Sequence, residues 1–205
     1  IEIGYARVRA SRITYVGELG WELYLSTEHT LDVYERLLEA GSEHGMRLAG
    51  YHTMAACRVE KGYRHWSHDI GDEDTPLEAG LGFTVAWDKP GGFMGREALL
   101  AQRAGGTPAR RLVQVMLEDH AATAPLLYHE EPIVRDGTIV GSTRSGAWGH
   151  RIGRSIGMGY VGCEAGVTRE WLESGSWQVE VAGARHAARV QLQPWYDPKN
   201  ERIRS

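Results

Sequence analysis

Ala104-Gly105-Gly106-Thr107-Pro108 divides this chain into two textures. Paired glycines followed by a proline interrupt helices and strands alike, so the stretch reads as a boundary. Beyond it lie short strands and tight turns. Arg111 to Leu117 alternates in polarity. Asp136-Gly137 stands between Ile133-Val134 and Ile139-Val140, a strong hairpin signal. Gly157 to Val161, Trp177 to Val181 and Arg185 to Leu192 supply further strands. Ala182-Gly183-Ala184 turns the chain between the last two, with Gly183 free to adopt a positive φ. Several short strands at close spacing predict a small barrel.

Before the boundary the pattern is mixed. Thr27 or Thr30 is placed to cap a helix carrying Leu31, Tyr34, Leu37 and Leu38 on one face, with Gly41 and Gly45 as stops. A second helix is expected from Gly50 to Lys61, ended by Gly62. Phe83 to Trp87 reads as a strand, Lys89-Pro90-Gly91-Gly92 as a turn, and Phe93 to Gln102 as a short helix. The fold class is therefore α+β, with an α/β region over 1–103 and an all-β unit over 109–205. No internal repeat is evident.

Composition excludes several classes. A hydrophobic fraction of 42% over 205 residues suits an ordinary globular core. No apolar run is long enough to span a membrane, and no targeting pattern opens the chain. Ile1-Glu2-Ile3-Gly4 enters at once into strand-like sequence without an initiator Met, so the chain reads as beginning inside a larger protein. A net charge of −4 with interspersed signs argues against nucleic acid. Cys57 and Cys163 stand in no paired motif, which favours a reducing, cytoplasmic setting, and Cys57 reads as a core residue. Arg144, His150, Arg151 and Arg154 form a basic cluster around Gly146-Ala147-Trp148-Gly149. It reads either as a solvated loop or as a contact for a ligand's acidic tail or a neighbouring domain.

The chemistry concentrates in Arg12-Ile13-Thr14-Tyr15-Val16-Gly17-Glu18-Leu19-Gly20-Trp21-Glu22-Leu23-Tyr24, which reads as strand, glycine-bounded turn and strand. Glu18 falls in the turn and Glu22 on the second strand; the sequence leaves open whether they share a face. A fixed carboxylate accepts two parallel N–H bonds from a planar amino-heterocycle, much as carboxylates read base edges. Tyr15 and Trp21 offer flat surface for stacking. The plain alternative is a solvated hairpin.

Tyr15-x-Gly17-Glu18-x-Gly20-Trp21-Glu22 resembles the signature of the glycine-cleavage aminomethyltransferase (T-protein) family of tetrahydrofolate-binding proteins. Further matches follow in order: Leu48-Ala49-Gly50-Tyr51 with Cys57-Arg58-Val59-Glu60-Lys61-Gly62-Tyr63; Asp69-Ile70 with Thr75-Pro76-Leu77-Glu78-Ala79-Gly80-Leu81; Phe93-Met94-Gly95-Arg96-Glu97-Ala98-Leu99; and Gly141-Ser142-Thr143-Arg144-Ser145-Gly146 leading to Ser155-Ile156-Gly157-Met158-Gly159-Tyr160-Val161. They cover nearly the whole chain. Glu60-Lys61-Gly62-Tyr63-Arg64-His65-Trp66 is most similar to the C-terminal folate region of dimethylglycine and sarcosine dehydrogenases.

The resemblance implies a ferredoxin-like α/β region followed by a C-terminal barrel, with tetrahydrofolate as cofactor and an upstream region of the same protein as partner. FAD belongs to that upstream region in the dehydrogenase branch. It puts the pterin-binding carboxylate on Glu22, with Glu18 as second choice, and Tyr15 beside the ring. Trp66 is either a ring-contacting aromatic or a core tryptophan. Arg58 and Glu60 occupy the family's Arg-x-Glu, where they can form ion pairs with other partners. Met54 stands where many relatives have an arginine, so that arginine's polar contact is missing. The family's acid/base aspartate lies upstream, outside this chain, and no catalytic residue is expected here. His65-x-x-His68 offers two local ligands, fewer than a zinc site needs. The implied function is the folate-positioning part of an aminomethyltransferase-like enzyme, fused to a flavin-dependent dimethylglycine or sarcosine dehydrogenase. The alternatives are a stand-alone folate-dependent transferase and a non-catalytic folate-binding accessory protein. For the accessory reading, Lys61-Gly62-Tyr63 lacks the cysteine of the Lys-Gly-Cys-Tyr motif found in relatives linked to iron–sulfur assembly.

Overall fold

The structure is a computed structural model that describes residues 1–119 and 124–204. In chain order the first part holds β1 (Glu2–Ile3), β2 (Ala6–Arg7), β3 (Arg9–Ser11), β4 (Glu22–Tyr24), α1 (Thr30–Ser42), α2 (Tyr51–Glu60) and α3 (Arg96–Ala104). The second holds β5 (Arg110–Leu117), β6 (Pro132–Arg135), β7 (Thr138–Gly149), β8 (Arg154–Gly162), α4 (Arg169–Glu173), β9 (Trp177–Val181) and β10 (Ala184–Gln191). The mixed helix-and-strand class is thus realised, with a closed six-stranded barrel of order β10-β5-β8-β7-β6-β9 in the second part.

Turn chemistry closes the barrel. Asp136 and Gly137 have φ of 49° and 85°, a pair of positive values that matches the right-handed twist of β6 and β7. Ala182 and Gly183 do the same between β9 and β10, with Ala184 paired to Val181. β5 is buried on both faces, because side chains alternate between two cores. Val113, Val115 and Leu117 join Leu127, Ile133, Val161, Trp177 and Val179 in the barrel interior. Leu112 and Met116 face outward, where Val59 of α2 packs on them with Ile156, Met158 and Tyr160 of β8. Gln114 ties this layer together: its Nε2 donates to Val59 O at 2.7 Å and its Oε1 accepts from Trp195 N at 3.1 Å. α2 thereby lies directly against the barrel.

Three expectations for the first part are corrected. Arg12–Tyr24 is not a continuous hairpin: β3 pairs with β4 in the register Arg9↔Tyr24 and Ser11↔Glu22, and 12–21 form a long loop between them. Phe83–Trp87 finds no partner strand among the described residues; Gly82–Thr84 form a 3-10 turn, and Trp87 Nε1 donates back to Gly82 O at 3.2 Å. On α1 neither threonine supplies a side-chain cap. The buried contact of α1 is Val33, packed with Ala6 and Val8, while Leu31, Tyr34 and Leu37 are exposed.

Candidate functional site

α2 begins at an extended Gly50 and ends in a reverse turn. Gly62 N donates to Val59 O and Tyr63 N to Arg58 O, and Gly62 adopts φ 70°. This is the bonding of a Schellman motif, and it swings the chain back beneath the helix. His65 to Asp69 therefore return under Arg58. Tyr51, Met54, Ala55 and Arg58 recur at helical spacing, so one face of α2 presents all of them.

That face lines a cavity of about 270 Å³, closed by Tyr15 from the 12–21 loop, His65 and His68 from the return, Tyr128 and His129 before β6, and Arg144, Ser145 and Gly146 of β7. Burial pushes the Tyr15 phenol above its usual value, against the opposing charge of Arg58, so it stays a neutral hydroxyl and donates to Arg64 O at 3.2 Å. Its ring lies 6.3 Å from that of Tyr63 at 11°, a stacked pair.

Arg58 is buried and donates from both terminal nitrogens. It donates to Asp69 Oδ2, to Ser145 Oγ at 2.8 Å and to Tyr63 O at 3.4 Å. Asp69 is wholly buried; its Oδ2 also accepts from His65 N at 2.8 Å, and its Oδ1 has no partner among the described residues. The pair joins α2, the return and β7 in one network.

A second network lies on the other side of α2. Glu60, 1% exposed, accepts from the backbone N of Arg151 at 2.7 Å and from its Nε. The same guanidinium donates to Glu18 Oε1 at 2.6 Å and Val16 O at 3.1 Å, and lies 3.8 Å over the Tyr196 ring. Tyr196 OH donates to Glu18 at 2.5 Å. Burial works against the Arg151 charge, but the bonds to Glu60 and Tyr196 outweigh it and hold its pKa above the ordinary arginine value.

The expected site residues separate accordingly. Tyr15 and Arg58 meet at the cavity; Glu22, Glu18 and Trp66 are not in its wall. Glu22 sits at the start of β4, accepts the Tyr24 hydroxyl and makes no ion pair among the described residues. Glu18 is committed to Arg151 and Tyr196. Trp66 is 65% exposed, which removes the core alternative, and it lines an adjoining groove that shares His68 and Arg144 with the cavity. Trp66→Leu should therefore leave the urea midpoint nearly unchanged, since exposed substitutions stay within about 0.5 kcal/mol. Cys57 is half-buried rather than core, and burial pushes its thiol pKa up, away from reactivity. Two members of the basic cluster are engaged: Arg144 lines the cavity and Arg151 bonds to the first part of the chain, while His150 is exposed. The rings of His65 and His68 meet edge to face at 4.5 Å. Among the described residues no group of three or more His, Cys, Asp or Glu is placed to hold a metal ion.

Sequence reading missed Tyr51, although its spacing to Met54 and Arg58 marks a shared helix face. It also missed Tyr128 and His129, which reach the cavity from the connection before β6 and carry no local signal, and gave Ser145 of β7 no role although it stands in the matched run 141–146.

Residues 1–89 match the GCVT N-terminal domain and residues 110–197 the glycine cleavage T-protein C-terminal barrel domain. The chain belongs to the glycine cleavage T-protein family. It is 42% identical to the 4-methylaminobutanoate oxidase (formaldehyde-forming) of Paenarthrobacter nicotinovorans, over 100% of this chain and 24% of that protein. It is 40% identical to the mitochondrial sarcosine dehydrogenase of Homo sapiens, over 96% of this chain and 21% of that protein. Its fold matches the glycine cleavage system aminomethyltransferase T from Bartonella henselae with a TM-score of 0.77 at 24% identity, over 92% of this chain and 50% of that one. The chain thus spans a quarter or less of the length of these oxidase and dehydrogenase relatives. Among the described residues no helix is long and apolar enough to cross a membrane.

Proposed function

We propose that this chain is the tetrahydrofolate-binding part of an aminomethyltransferase-like enzyme, and the C-terminal portion of a flavin-dependent dimethylglycine or sarcosine type dehydrogenase. The carrying observation is the cavity between α2, the 12–21 loop and β7, which joins flat aromatic walls to a few fixed polar groups. Its size lies just under the roughly 300–1,000 Å³ of small-molecule sites, enough for a ring with its tail outside. The relative that is formaldehyde-forming supports a role beside one-carbon release.

Bound tetrahydrofolate supplies the nitrogen that accepts a one-carbon unit. The residues of this chain bind and orient the ring. Tyr15 offers its face. Arg58 is held by Asp69 and Ser145, so it shapes the wall as a fixed element. Glu22 lies outside the cavity wall, and it is the family's motif that assigns it to the amino edge of the ring. The supporting contrast is that Glu22 has no cationic partner among the described residues, whereas Glu18 is neutralised by Arg151. No acid/base residue is assigned here; orientation alone lowers the entropic barrier to transfer. FAD would be held by an upstream part of the protein.

Glu22→Ala is expected to weaken reduced-folate binding by about 1.5–3 kcal/mol, the cost of leaving ring N–H donors without their charged acceptor. Glu18→Ala should weaken it much less, because Glu18 acts through Arg151. Fluorescence titration of both variants with 5-formyltetrahydrofolate checks this. Equal losses, or the reverse order, overturn the Glu22 assignment.

A further inference from the structure

We propose that Arg151 is a positioning residue for the ring site, a barrel side chain that fixes the 12–21 loop and thereby Tyr15. This rests on the folate reading above and adds to it a residue outside the cavity wall. Arg151 stands at the β7–β8 turn. Its guanidinium reaches into the first part of the chain, and the planar fork makes contacts that one ammonium cannot reproduce.

Besides Arg151, the loop is held by the Tyr15 hydroxyl on Arg64 O, the Tyr15–Tyr63 stack and the Tyr196 hydroxyl on Glu18. Residues 12–21 lack ladder bonds, and the internal support is one hydroxyl: Thr14 Oγ1 accepts from Val16 N at 3.2 Å and Gly17 N at 3.1 Å. Val16 O and Glu18 are then taken by Arg151. Tyr15 lies between Thr14 and Val16, so the clamp fixes the backbone from which its ring, itself bonded to Arg64 O and stacked on Tyr63, reaches the cavity. The side facing α2 is also fixed: Gly17 adopts φ 77°, and a Cβ there would stand 2.9 Å from the Lys61 side chain. Arg151 itself is anchored by Glu60, which is buried and held at the end of α2. The chain of contacts runs from barrel to α2 to loop to Tyr15.

The C-terminal tail locks the same cluster. Tyr196 stacks on the guanidinium and donates to Glu18, and its backbone N donates to Glu60 O at 3.2 Å. Lys61 Nζ pairs with Asp197 Oδ2 at 3.0 Å. Every element that meets at Arg151 therefore restrains the loop from a different side.

The test uses Arg151→Lys, which keeps a cation for the buried Glu60, and Glu18→Ala, which leaves the Arg151–Glu60 pair untouched. Amide hydrogen exchange without ligand reads the loop directly. Val16 and Gly17 should exchange about tenfold faster in both variants, matching the loss of one charge-assisted bond, while β5 and β8 keep their protection. Titration with 5-formyltetrahydrofolate should show severalfold weaker binding in Glu18→Ala. In a Tyr15→Leu background the same change should cost nothing, because the clamp acts through Tyr15. Unchanged exchange at Val16 and Gly17 overturns the proposal, as does an affinity loss that persists without Tyr15. If the parent chain binds no folate while the loop loosens as stated, the folate reading fails and the clamp stands.

Discussion

Arg58→Met should remove about 3–5 kcal/mol of folding stability, the cost of breaking a buried ion pair from one side. The substitution keeps an apolar stem and takes away the charged guanidinium. Asp69 is left wholly buried, with Oδ1 already unpartnered and Oδ2 holding only the His65 amide. Ser145 Oγ loses its donor as well. Small domains have about 5–15 kcal/mol in total, so the variant should be partly unfolded at physiological temperature. Urea unfolding followed by circular dichroism measures the loss. Arg58→Met combined with Asp69→Leu removes both charges and should recover a large part of it, since an apolar pair of similar volume replaces a buried ion pair at little cost. A loss under about 1 kcal/mol for the single variant would mean that the pair behaves like one in solvent.

Trp177→Ala is expected to cost a similar amount, about 3–5 kcal/mol, as a large truncation in a packed core. Trp177 is 6% exposed and starts β9. Its ring meets that of Trp171 edge to face at 5.3 Å, and its Nε1 donates to Leu172 O at 2.9 Å. Arg135 lies over Trp171 at 4.6 Å and donates to Trp171 O at 3.2 Å. α4 is too short to persist by its own propensity, so these contacts hold it on the barrel. The variant should lose near-ultraviolet dichroism and cooperative unfolding together, while Trp66→Leu should change neither. If Trp177→Ala proved as mild as Trp66→Leu, the interior packing assigned to the barrel would be wrong.

These two tryptophans also show what a sequence reveals. Both stand in mixed-polarity surroundings, and only their place in the fold separates a packed interior ring from an exposed one. Where local chemistry decides, the reading succeeded. Gly137 and Gly183 adopt positive φ without the cost a Cβ brings, and the turns of β6–β7 and β9–β10 form there. Gly62 stops α2 for the same reason. Where distant contacts decide, alternation misled. Phe83–Trp87 has strand composition and, among the described residues, no strand to pair with. Arg12–Tyr24 alternates, yet the Thr14 hydroxyl and the Arg151 fork draw it into a loop.

The candidate site divides the same way. Tyr15 and Arg58 were readable from their motifs, and they meet at the cavity. Glu18 and Glu60 carried no sign of their partner, because Arg151 is 133 and 91 residues away along the chain. Arg151 itself stands out as part of a basic cluster, but composition does not tell which charge of such a cluster pairs with which element. Tyr128 and His129 are brought to the cavity by the connection that enters β6.

The central claim is that this chain binds reduced folate through Tyr15 and Glu22. Isothermal calorimetry with 5-formyltetrahydrofolate tests it most directly, on the 205-residue chain and on the Tyr15→Leu/Glu22→Ala double variant. The account predicts weak, saturable, one-site binding to the parent chain with a negative heat-capacity change from ring burial. It predicts loss of that binding in the folded double variant. No saturable binding at millimolar ligand, or equal binding by the two proteins, would contradict it.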